Sequence, residues 1–133
     1  MIKFLVTAIL LSASALAYGV DDKLYMPFPE AQISVIQWTD YHRLVMDSYG
    51  ASLRQFPDEH LEVLHSTDNK LHFAFTTPGH PAHPAWVTRR ASEGSVDQIG
   101  YFAGKEEPFA ELFQAYRSLT DRTLDSIPDG PSK

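Results

Sequence analysis

The chain contains no cysteine. This removes disulfides, thiol nucleophiles, zinc–thiolate sites and iron–sulfur clusters in one step. Basic residues are few, 11 against 17 acidic ones, and the formal charge is −6. An acidic surface repels nucleic acid and anionic lipid, so neither is expected as a partner. Long apolar runs are also missing after the first 17 residues, and no later segment approaches the roughly 20 residues a membrane helix needs. Catalytic signatures are absent as well. There is no GxSxG, HExxH, GxGxxG or phosphate-cradling Gly-Lys-Ser/Thr loop.

What is present at the start reads as an export signal. Lys3 supplies a positive n-region, Phe4 to Leu11 is uncharged and apolar, and Ala15-Leu16-Ala17 offers small residues where a signal peptidase cuts. Residues 1–17 are therefore expected to be a signal peptide. The product would be periplasmic or secreted and without a membrane anchor after cleavage. Of the 133 residues, 116 would remain, and loss of Lys3 would take the charge from −6 to −7. That length suits a single domain over residues 18–133, with a loose tail from about 128. A hydrophobic content of 44% is enough for a core held by packing alone.

Along the mature chain, Pro27 and Pro29 make residues 18–31 an irregular lead-in. Ser34-Val35-Ile36-Gln37 fits a capping box, with Ile33 and Trp38 placed for a hydrophobic staple. Trp38, Val45 and Tyr49, flanked by Tyr41, His42 and Val35, define a helical apolar face. Gly50 is a natural stop, although the pattern allows the helix to run to Phe56 before Pro57. Glu59 to Ser66 and Lys70 to Thr77 then read as strands joined by a turn centred on Asp68-Asn69. This register sets Leu64 opposite Phe73 and His65 opposite His72. Ala85 to Ala91 and Val96 to Ala103 read as two more strands. A helix follows from about Glu106 to Ile127, with Phe109, Leu112, Phe113, Tyr116, Leu119, Thr123 and Ile127 on its apolar face. The expected fold is α+β: an N-terminal helix, a four-stranded antiparallel meander and a C-terminal helix, packed as a two-layer sandwich. Trp38, Phe73, Phe75, Phe109, Phe113 and Tyr116 are expected to share one core cluster.

The most distinctive stretch is Thr76-Thr77-Pro78-Gly79-His80-Pro81-Ala82-His83-Pro84. Its prolines fix the backbone and forbid strand or helix. A stiff loop that displays imidazoles is a candidate recognition surface, built from His80, Pro81, His83 and Pro84 with Trp86, Arg89 and Arg90 on the strand behind. Strand alternation puts Arg89 and Arg90 on opposite faces, where either could pair with a carboxylate or hold an anion. His42 borders the apolar helix face and reads as a half-buried core residue, and His60 as a solvent-facing turn residue. Four of the six histidines, His65, His72, His80 and His83, lie close together in sequence. They are the candidate ligands for a zinc or copper ion, a set weakened by the lack of any Asp or Glu in the loop.

The segment Lys70 to Arg90, KLHFAFTTPGHPAHPAWVTRR, with the strand and helix that follow, resembles a group of small exported bacterial proteins of uncharacterised function. The resemblance covers roughly half of the mature chain. It implies a periplasmic address and supplies no activity, cofactor or catalytic residue. The sequence thus favours a non-enzymatic binding domain whose partner is another protein and which needs no cofactor. The alternatives are a histidine-dependent metal-binding protein, and a small hydrolase or isomerase with His72 or His80 as base in a pocket between helix and sheet.

Overall fold

The computed structural model describes residues 24–125, with side chains through Asp121. The expected signal peptide, Ile127 and the tail from 128 lie outside the described residues. The protein is α+β. Helix α1 spans Val35–Tyr49. Strands β1 (Arg54–Phe56), β2 (Leu61–His65), β3 (Leu71–Thr76), β4 (Ala85–Ser92) and β5 (Ser95–Phe102) follow, and helix α2 spans Glu106–Asp125. The strands form one antiparallel sheet in the order β1-β2-β3-β4-β5.

The local signals act as expected at several points. Ser34 Oγ accepts from the Gln37 N–H at 3.0 Å, and Gln37 Oε1 accepts from the Ser34 N–H at 2.9 Å, completing the capping box. Leu64 pairs with Phe73 and His65 with His72. The connecting loop is wider than a two-residue turn. The Asn69 N–H donates to the Ser66 carbonyl, and only Asn69 adopts positive φ, at 65°. Both loops centre on the same point, so the register is unchanged.

Two expectations are corrected. The sheet has five strands, not four. After α1 the chain makes a 3₁₀ turn at Gly50–Ser52 and then pairs Arg54 with Val63 and Phe56 with Leu61. Three exposed residues carry no periodic signal, so β1 exists only because β2 presents a free edge to it. The second correction is the layering. Each sheet face carries one helix, and the second is covered only over β4 and β5. On the first face Trp38, Tyr41 and Val45 of α1 pack on Leu64, Leu71, Phe73, Phe75, Trp86 and Tyr101. The Tyr41 ring stacks on Trp86 at 4.2 Å. On the opposite face Phe109 and Leu112 of α2 pack on Ala85, Val87 and Phe102. The aromatic residues expected in one cluster therefore divide between two. Phe113 and Tyr116 are only partly buried.

Gly100 shows why α2 can approach so closely. A Cβ there would stand 2.7 Å from Phe109 Cζ and 3.0 Å from Phe113 Cδ2. The lead-in, which the prolines mark only as irregular, also belongs to the core. Leu24 and Tyr25 are buried, and the Tyr41 hydroxyl donates to the Leu24 carbonyl. Ile33 N–H donates to Phe102 O, which ties this strap to the edge of β5.

Candidate functional site

The loop between β3 and β4 is tied down at many points. Thr77 N–H donates to His60 O at 2.9 Å, His80 N–H to Thr77 O at 3.0 Å, and His83 N–H to His80 O at 3.0 Å. The Ala82 N–H donates to His80 Nδ1 at 3.0 Å, so in the neutral ring the proton sits on Nε2. Thr76 Oγ1 accepts from the Ala85 N–H and lies 2.8 Å from His83 Nδ1. The His83 ring meets Trp38 edge-on at 5.2 Å. Gly79, at φ 109°, lies under the His60 ring, and Gly104 lies against the His83 carbonyl. Ala82 is fully buried.

This accounting redistributes the sequence candidates. Pro81 is exposed, whereas His80, His83 and Pro84 are all half-buried. His83 works as a brace between Thr76 and Trp38. Trp86 is wholly buried and has no part in a surface, which corrects its assignment. The reason is register: Trp86 pairs with Phe75 and Tyr101 on the face that α1 covers. Arg90 shares that face, stacked over Tyr25 at 4.1 Å with Asp97 at 3.4 Å. Arg89 points to the other face, as alternation requires.

The four candidate metal ligands do not converge. His65 and His72 are cross-strand neighbours, with rings 5.8 Å apart, at one end of β3. His65 Nδ1 meets Ser66 O, and His72 Nε2 meets Asn69 O. His80 and His83 lie beyond the other end of β3. Among the described residues no three His, Asp or Glu side chains assemble into a metal site. The spatial grouping differs from the sequence grouping. His42 stacks on Trp38 at 5.0 Å and contacts Glu62 at 3.2 Å, close to His83, while His60 neighbours His80. His42 is half-buried and His60 exposed, as expected.

A separate site lies on the α2 side of the sheet. Because α2 lies over β4 and β5, it leaves the same face of β1–β3 uncovered, and the later turns of α2 form a wall beside it. The result is a cleft of about 260 Å³. Its floor is Leu61, Val63, Ala74 and Val87, its walls include Tyr116 and Leu119, and Arg54, Glu59, His72 and Arg89 bring polar groups to it. Ala74 makes the room. It is the small residue between Phe73 and Phe75, and its neighbours Val63 and Val87 are also short.

Arg89 Nη1 donates to Thr120 Oγ1 at 3.0 Å, and its guanidinium lies over the Tyr116 ring at 5.3 Å. Burial lowers the Arg89 pKa from its ordinary value. Burial also lowers that of His72, partly opposed by its hydrogen bond to Asn69 O and reinforced by the Arg89 charge, which favours the neutral imidazole at pH 7. Burial raises Tyr116, partly opposed by Arg89. Of these residues the sequence reading singled out only His72 and Arg89 for function. Arg54, Val63, Ala74 and Val87 carry no motif. The alternation of large and small residues along β3 is the one signal that could have pointed to the cleft. Comparison with known protein families, with curated proteins and with solved structures finds no match.

Proposed function

We propose that the mature chain is an exported, periplasmic or secreted, non-enzymatic binding domain whose ligand site is the cleft between α2 and the uncovered face of β1–β3. The observation that carries this reading is the cleft itself: concave, apolar at its floor, with a few convergent polar groups. Such a shape suits a small molecule better than a flat protein surface. The cleft also answers to the pocket between helix and sheet in the enzymatic alternative. His72 lines it, and its Nε2–H donates to the Asn69 carbonyl, which leaves Nδ1 as the basic nitrogen of the neutral ring. His80 lies outside it.

A second reading, contact with another protein through Pro78, Gly79 and Pro81, draws support from their exposure on a rigid loop. Zinc or copper binding by all four candidate histidines would require side chains from opposite ends of β3.

Amide chemical-shift mapping on the isotope-labelled mature chain, titrated with a set of small organic fragments, tests the proposal. Shifts are expected at Val63, Ala74, Val87 and Tyr116. Shifts confined to residues 78–83, or none at any residue, would overturn the cleft as the ligand site. Intact-mass analysis of the natural product checks the export signal, with cleavage expected between Ala17 and Tyr18.

A further inference from the structure

We infer that the cleft takes a small amphiphilic anion, a medium-chain carboxylate whose head lies against Arg89 and whose tail covers the apolar floor toward Arg54. This rests on the reading of the cleft as the ligand site. The argument begins with the partners of the arginines. Arg43 pairs with Asp40, and Arg90 with Asp97. The two arginines that line the cleft have no carboxylate partner among the described residues, a property shared outside it by Arg117, which lies over the Phe113 ring. Arg54 lies over the Phe56 ring at 5.9 Å, and Arg89 over Tyr116. Arg89 spends one donor on Thr120, while a guanidinium carries five N–H groups. A charge taken partly out of water without a counter-charge is costly, and an anion seated beside it would remove that cost.

The charge count sets the valence. Glu59 is the one carboxylate lining the cleft. It makes no ion pair with either guanidinium. Two guanidiniums against one carboxylate, with a neutral imidazole at His72, leave one net positive charge in a protein that is acidic overall. That balance matches a monoanion and disfavours a dianion such as phosphate. The floor of Leu61, Val63, Ala74 and Val87 gives a bare inorganic ion nothing to bury, whereas an alkyl tail would gain the transfer free energy of each methylene. The size agrees. A volume of about 260 Å³ corresponds to roughly nine water volumes, a space for an eight-carbon chain with its carboxylate rather than a long lipid tail.

Calorimetric titration and amide shift mapping of the mature chain with octanoate test the inference, with 1-octanol and octylamine as tail-matched neutral and cationic probes. Octanoate is expected to bind with shifts at Ala74, Val87 and Tyr116, and octanol at least tenfold more weakly. Arg89→Gln should weaken octanoate at least tenfold and leave octanol unchanged. Arg54→Gln lies on an exposed edge strand where folding is not at risk. It should weaken octanoate severalfold and keeps the test open if the Arg89 variant fails to fold. Equal binding of octanoate and octanol, or preference for octylamine, would overturn the anionic class while leaving the cleft as the ligand site. Absence of shifts in the cleft with all three probes would overturn both.

Discussion

Gly100→Ala probes the packing of α2 on the second face of the sheet. The new Cβ would stand 2.7 and 2.9 Å from Phe109 Cζ and Cε1, and 3.0 Å from Phe113 Cδ2. The Phe109 ring cannot retreat freely, because it is buried and stacks on Phe102 at 4.8 Å. Overpacking of this kind costs about 1–3 kcal/mol. Replacing glycine by alanine in a strand returns about 0.5–1 kcal/mol of backbone entropy. The net expectation is a loss centred near 1 kcal/mol, within a range of about 0–2.5 kcal/mol set by the difference of those two terms. Gly50→Ala is the matched control. Gly50 has φ −58° and ψ −25°, with nothing within 4 Å of a new Cβ. It should gain about 0.4–1 kcal/mol through the unfolded state alone. Urea unfolding at constant m-value reads both. The two glycine changes should therefore move the midpoint in opposite directions. Trimming Phe109 to Leu in the Gly100→Ala background should recover part of the loss, because neighbours in contact couple. If Gly100→Ala stabilises as much as Gly50→Ala, α2 does not lie across β5 and the three-layer arrangement is wrong.

On the other face, Phe73→Ala removes a fully buried ring between Tyr49 and Phe75 and should cost about 3–5 kcal/mol in the same assay; a loss below about 1 kcal/mol would mean that α1 does not cover this face. In the loop, His83→Ala should cost about 1–2 kcal/mol through the lost contacts with Thr76 and Trp38, and Pro81→Ala, at an exposed position, should stay within about 0.5 kcal/mol; equal effects would contradict the bracing role of His83. Stability should also fall on mild acidification. Burial holds His72, His80 and His83 below the ordinary value of 6.5 in the folded chain, so the unfolded chain takes up protons first as pH drops through 6.5. The urea midpoint should decline from pH 7 until the folded values are passed, with a shallower decline in His72→Gln, and a midpoint that rises over this interval would refute the argument.

The sequence by itself determined the parts that depend on neighbours along the chain. The capping box at Ser34 and Gln37 formed because both partners lie within one helical turn. The pairing of His65 with His72 followed from the centre of a short loop, and the opposite directions of Arg89 and Arg90 from the two-residue period of a strand. The stiffness of the Thr77–Pro84 connection came from its prolines. Only the tertiary structure decided which sheet face each helix covers. An apolar stripe on a helix says that it must be buried but not against what, and a strand such as β3, with Leu71, Phe73 and Phe75 on one face and His72, Ala74 and Thr76 on the other, does not say which helix covers which side. The same ambiguity hid β1, whose three exposed residues become a strand only through their pairing with β2. It also hid the cleft. Arg54, His72, Arg89 and Tyr116 come from four elements spread over more than sixty positions, and they meet only because α2 lies across β4 and β5 and leaves the floor beside them open. Local chemistry acts over a few residues, whereas a cavity is the space left by packing that no local pattern encodes.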